Sequence, residues 1–186
     1  MRKILIAITG ASGSIYALKM LALLKDREVE VHGIISDSGR KVLKWETGLE
    51  PTRIQGVDRW YEVGNLAAAP ASGSAGFEAM VVIPCTMGTL GAIANGLSIN
   101  LIHRAADVML KERKPLLLAV RETPFNRTHL QNMVQADQAG AVIFPCMPAL
   151  YNRPQSLDEM ALNFAARICE FIGFPIASMP RWQGES

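Results

Sequence analysis

Short apolar runs alternate with amphipathic stretches along the whole chain, and that alternation predicts its elements. Residues 3–9, 29–35, 79–83, 116–120 and 141–144 form five runs that are too short for buried helices and show no polar face. Runs of this kind mark strands covered on both sides. Between them, residues 14–25, 37–47, 100–114, 127–139 and 156–172 carry apolar positions at helical spacing behind capping residues. Strand then helix, repeated in one short chain, predicts a parallel sheet with helices on both faces, because right-handed crossovers must deposit them there. The expected fold is α/β, a Rossmann-like or flavodoxin-like doubly wound sheet in a single domain over residues 1–186. Residues 66–76, LAAAPASGSAG, break the alternation. They lie just before the third run, so they read as a mobile loop near the sheet and not as a linker between domains.

Composition narrows the class. A chain of 186 residues with 49% apolar and 19% charged residues can bury a real core without cross-links, and its low charge fits oligomerisation or a well-filled α/β core equally well. The three cysteines, Cys85, Cys146 and Cys169, are far apart and unaccompanied by metal-spaced ligands. A reducing, cytoplasmic setting is expected, with no structural metal. MRKILIAIT begins like a secretory signal but runs into GASGS without a cleavage pattern, so it reads as a core strand. No apolar stretch reaches the ~20 residues that span a bilayer. A net charge of +2 is too balanced to predict nucleic-acid binding.

Open parallel sheets bind ligands beyond the carboxyl ends of their strands, so the residues after each run are the candidates for chemistry. Gly10-Ala11-Ser12-Gly13-Ser14 offers small residues, helix-start amides and a hydroxyl suited to phosphate oxygens. Its G-x-x-G spacing is neither a dinucleotide fingerprint nor a Walker sequence, and a tight turn with a serine cap explains it equally well. Ser36-Asp37-Ser38 follows the second run; Asp37 suits a nicotinamide ribose or a helix cap. Thr86-Met87-Gly88-Thr89 gives a second set of donors facing the same crevice. Arg121 and Glu122 place a guanidinium and a carboxylate at the mouth, for phosphate binding and proton transfer or as a surface pair. Arg104 and Lys111 share a helix face, where Asp107 can pair with both. Cys85 and Cys146 follow prolines in similar phrases, but no histidine lies near either to make a nucleophile. His32, His103 and His129 show no triad or metal spacing and are assigned structural roles.

Six phrases in order extend this reading: GASGS, PASGS at 70–74, PCTMGTL at 84–90, HRAADVMLKERKPLLLAVRETP at 103–124, PALYNRPQSL at 148–157 and PRW at 180–182. Together they make the chain resemble, nearly end to end, the UbiX/Pad family of flavin prenyltransferases. Asn152 and Lys114 are mild departures. The resemblance implies a cytoplasmic homododecamer that joins the dimethylallyl group of dimethylallyl phosphate to N5 and C6 of reduced FMN, releasing phosphate. The product is the prenylated cofactor of UbiD-type decarboxylases.

By position, the resemblance implies an FMN site of Gly10, Ala11, Ser12, Ser36, Thr86, Met87, Gly88, Thr89 and Arg121. It implies a prenyl-phosphate site of Tyr151, Arg167, Lys111, Arg104 and Arg181, with Ala71, Ser72, Gly73 and Trp182 near a subunit boundary. Glu122, with Ser12 and Glu46, is the implied proton relay. The absence of an aspartate-rich motif fits a reaction without magnesium. Two other readings share these features: an FMN-dependent decarboxylase of the cysteine-decarboxylase type, and a nucleotide-binding subunit without catalysis.

Overall fold

A computed structural model describes residues 1–177. Six strands form one sheet, β1 (Arg2–Ile8), β2 (Val29–Ile35), β3 (Arg59–Tyr61), β4 (Ala79–Cys85), β5 (Leu116–Val120) and β6 (Val142–Ile143). Their order is β3-β2-β1-β4-β5-β6, and every pairing is parallel. The chain therefore winds outward from β1 in one direction, returns, and winds outward from β4 in the other. The switch point lies between β1 and β4, where a doubly wound sheet opens its crevice.

Among the described residues six α-helices cover the sheet: α1 (Ser14–Leu24), α2 (Asp37–Thr47), α3 (Met87–Ala94), α4 (Leu101–Lys111), α5 (Arg127–Gln138) and α6 (Leu157–Phe171). Strand alternation sorts the core into two layers. Ile4, Ile6 and Ile8 of β1 pack with residues of α1, α2 and α6, whereas Leu5 and Ala7 pack with α3, α4 and α5. Both faces of β1 are dry, which is why its sequence is an unbroken apolar run.

The sequence expectation holds for the doubly wound sheet and for all five anticipated strands. It misses β3, a three-residue edge strand whose Arg59, Trp60 and Tyr61 pair with His32, Gly33 and Ile34. Three residues flanked by polar chain carry too little periodicity to read. Residues 66–76 also differ from the expected mobile loop. They form two 3-10 turns, Ala69–Ala71 and Gly73–Ala75, docked on α4 with Pro70 buried. Arg104 Nε donates to the Ala71 carbonyl at 3.2 Å, and a Cβ on Gly73 would lie 2.2 Å from Glu112 Oε1.

The histidines serve the scaffold. His32 is buried between Tyr61 Oη at 2.9 Å and Glu30 Oε1 at 2.5 Å, tying β2 to the edge strand. His129 completes a capping box with Asn126 at the start of α5. Burial lowers the pKa of His103. No helix among the described residues is long and apolar enough to cross a membrane.

Candidate active site

The turns after β1 and β4 meet at the switch point, and one buried residue fastens them together. Thr9 Oγ1 donates to the Pro84 carbonyl at 2.7 Å and accepts from the Thr86 amide at 2.9 Å. Gly10 fits because nothing larger would. A Cβ there would lie 2.5 Å from Ser38 Cβ, so the turns after β1 and β2 pack directly on each other. The smallness expected to admit a ligand at Gly10 thus serves turn packing.

Ser36 and Thr86 cap helices. Ser36 Oγ accepts from the Gly39 amide at 3.0 Å, and Thr86 Oγ1 accepts from the Thr89 amide at 3.1 Å while donating to Thr89 Oγ1. With those caps made, the first amides of α2 and α3, at the carboxyl ends of β2 and β4, still have no intrahelical acceptor and can serve as anion donors. Gly88 is exposed at the start of α3, with no atom within 4 Å of where its Cβ would sit. That open ground beside two helix N-termini fits a flavin mononucleotide, whose phosphate needs donors and whose ring needs close approach to backbone.

The N-terminus of α1 is occupied differently. Gly13 has φ 118° and no side-chain cap, so Glu46 at the end of α2 caps the helix from outside. Its carboxylate accepts from the Gly13 amide at 3.0 and 3.1 Å and from the Ser14 amide at 2.8 Å. Burial acts to raise the Glu46 pKa. The Ser12 hydroxyl and the two amides outweigh it and hold the pKa below the ordinary carboxylate value.

Two depressions adjoin this point. The first, about 490 Å³, is lined by Ser12, Tyr16, Glu46, Arg121, Cys146 and Leu157 among others. The second, about 330 Å³, lies between the chain after β6 and the face of α6, and includes Phe144, Met147, Tyr151, Asn152, Phe164 and Arg167. They are neighbours. Tyr16 of the first touches Phe164 of the second at a ring separation of 4.7 Å, and the consecutive residues Cys146 and Met147 line one each. Arg121 and Tyr151 thus open onto adjoining cavities. Burial pushes the Cys146 thiol up to about 12 against the opposing influence of Arg121, so it is a poor nucleophile at neutral pH. Burial, then Cys146, raises the Tyr16 pKa, again against Arg121.

Other anticipated residues sit elsewhere. Lys111 ends α4, from which the chain turns straight into the amino end of β5, so it lies at the opposite end of the sheet from the crevice. Ala71, Ser72 and Gly73 pack on the same helix, together with Arg104. Arg104 pairs with Asp107 at 2.7 Å, as the spacing suggests, but Lys111 pairs with Glu112 and not with Asp107. Glu122 is exposed beside Arg121, its Oε1 accepting from the Thr123 amide at 3.0 Å. Arg181 and Trp182 lie outside the described residues. Among the described residues, no group of three or more His, Cys, Asp or Glu is arranged to hold a metal ion.

A doubly wound sheet with small-residue turns at its switch point and open helix N-termini after β2 and β4 is the architecture of a flavin-type binding protein, and residues 1–163 match the Flavoprotein family model. The chain is 43% identical over 181 residues to the flavin prenyltransferase UbiX of Methanocaldococcus jannaschii, covering 97% of this chain and 98% of that one. Its structure aligns with AnUbiX, solved in complex with FMN and dimethylallyl pyrophosphate, at a TM-score of 0.96 and 38% identity, covering 100% and 99% of the two chains. It also aligns with a dodecameric FMN-dependent UbiX-like decarboxylase from Escherichia coli O157:H7 at a TM-score of 0.94 and 34% identity, covering 98% and 100%. The chain belongs to the flavoprotein family and, within it, to the flavin prenyltransferases.

Sequence reasoning passed over Thr9, Tyr16 and Asn163 at this site. Tyr16 alone left a signal, standing in the first turn of α1 directly behind the GASGS turn.

Proposed function

We propose that this chain transfers the dimethylallyl group of dimethylallyl phosphate to reduced FMN, making the prenylated cofactor for a UbiD-type decarboxylase in the cytoplasm. The observation that carries this is the pair of adjoining cavities behind the Tyr16–Phe164 contact. One opens on the flavin-type crevice and the other joins an apolar wall to a guanidinium.

Reduced FMN supplies the nucleophilic N5 and C6. The turns at Gly10–Ser12, Ser36 and Thr86–Thr89 hold its phosphate and ring edge, and Arg121 faces it from the end of β5. Tyr151 and Arg167 take the prenyl phosphate, with its dimethylallyl chain against Phe144 and Phe164. As the allylic C–O bond breaks, its electron pair leaves with the phosphate, and Lys111, Arg121 and Arg181 stabilise that charge. The first bond forms to N5, and protonation of the prenyl double bond lets its far carbon bond to C6; of the two protons lost from N5 and C6, one is returned to the prenyl chain and one goes to the released phosphate, through Glu122 with Ser12 and Glu46. The cations neutralise the leaving group, so no magnesium is needed.

Lys111 ends α4 at the opposite end of the sheet from the crevice, and Arg104 and the Ala71–Gly73 turns pack on that same helix. We infer that a neighbouring copy presents them, together with Trp182, in a homododecamer of single-domain subunits. The test is anaerobic incubation with reduced FMN and dimethylallyl phosphate, with and without magnesium, followed by mass spectrometry of the flavin. The expected result is a mass gain of one dimethylallyl unit in both arms; an unchanged flavin mass rejects the reading.

A further inference from the structure

Two residues that line the Tyr151–Arg167 cavity each carry a buried polar atom with no hydrogen-bond partner among the described residues, the acceptor Asn152 Oδ1 and the donor Asn163 Nδ2. Unpaired buried polar groups cost folding free energy and are retained where a ligand completes them. A single water would leave most of the space beside them empty. The cavity is about 330 Å³, and a water claims only about 30 Å³ of liquid. The rest of the wall is mostly apolar, including Phe144, Met147 and Phe164. The fitting occupant is amphiphilic, with an anionic end at the polar side.

The two orphans are complementary to such an occupant and to the cation beside it. Asn163 and Arg167 stand four residues apart on α6 and so share a face. Among the described residues Arg167 has a 3.4 Å contact to Glu170, and its side chain is 58% exposed. It can swing toward the cavity at little cost. A guanidinium has donors to spare beyond those given to a phosphate, and an amide oxygen can take one.

Resting on the prenyl-transfer reading above, we propose that Asn163 binds a phosphate oxygen of the substrate through Nδ2. Asn152 positions Arg167 by accepting one guanidinium N–H through Oδ1. Asn163 is then a binding residue, and Asn152 acts through the arginine.

The test measures binding of dimethylallyl phosphate by ³¹P NMR to the full chain loaded with oxidised FMN, which cannot turn over, alongside KM and kcat with reduced FMN. Asn163→Leu is expected to weaken binding about tenfold or more, the effect of losing a hydrogen bond to a charged group, with KM rising more than kcat falls. Asn163→Asp keeps the side-chain volume and guards against misfolding; it should weaken binding further by repelling the phosphate. Asn152→Leu should weaken binding in the parent but add nothing in an Arg167→Met background.

Wild-type affinity in Asn163→Leu, tighter binding by Asn163→Asp than by Asn163→Leu, or a full effect of Asn152→Leu without the arginine overturns the assignment. So does a parent protein that does not bind the phosphate. A parent that binds it yet adds no mass to reduced FMN rejects prenyl transfer and leaves the two asparagines as phosphate-site residues.

Discussion

Thr9 shows how much one hydroxyl can hold at the switch point. It joins the ends of β1 and β4 through two short hydrogen bonds in a buried setting. Thr9→Val keeps the shape and strands both partners, so it should cost about 1–3 kcal/mol in a denaturant melt and weaken FMN binding in a fluorescence titration. Glu46 bears on pH. Its folded pKa is lowered, so its contribution to stability is present above the unfolded carboxylate value and is lost as pH falls through the folded one. Glu46→Gln should flatten the acid limb of a melting-temperature profile and lower stability at neutral pH by about 0.5–1 kcal/mol, the low end of the capping range for an exposed group. Ser12 and Arg121 were legible because they follow predicted strands. Glu46 was not, except by family likeness, because its importance comes from reaching another helix 32 residues away. Thr9 was hidden for a similar reason, its partners lying 75 and 77 residues along the chain.

Two glycines at neighbouring turns separate the demands of packing from those of binding. Gly10→Ala would drive a Cβ into Ser38 and should destabilise the chain, while Gly88→Ala enters open space. The second variant should melt at or above the parent temperature, since alanine suits a helix better by up to about 1 kcal/mol. It should nevertheless bind FMN more weakly. Equal FMN affinity would show that the flavin does not approach the start of α3. The same contrast explains what was readable at this scale. Strands buried on both faces announce themselves by continuous apolar runs, whereas β3 and the turns on α4 depend on neighbours, His32 for one and Arg104 for the other.

Across the molecule, Lys111 ends α4 at the opposite end of the sheet from Arg121 and Glu122, which follow β5, and composition and periodicity could not have shown that separation. If one copy completes another, Lys111→Met and Glu122→Gln proteins should each be nearly inactive, yet regain prenyl transfer when unfolded together and co-assembled. Activity of the mixture no greater than that of either parent would place both residues within one subunit's reach. The docking of the Ala71–Gly73 turns on α4 then acquires a meaning beyond packing. A dilute subunit would carry flavin but lack half of its phosphate grip, so output should climb more steeply than protein abundance. Expression level itself would set a threshold for cofactor supply.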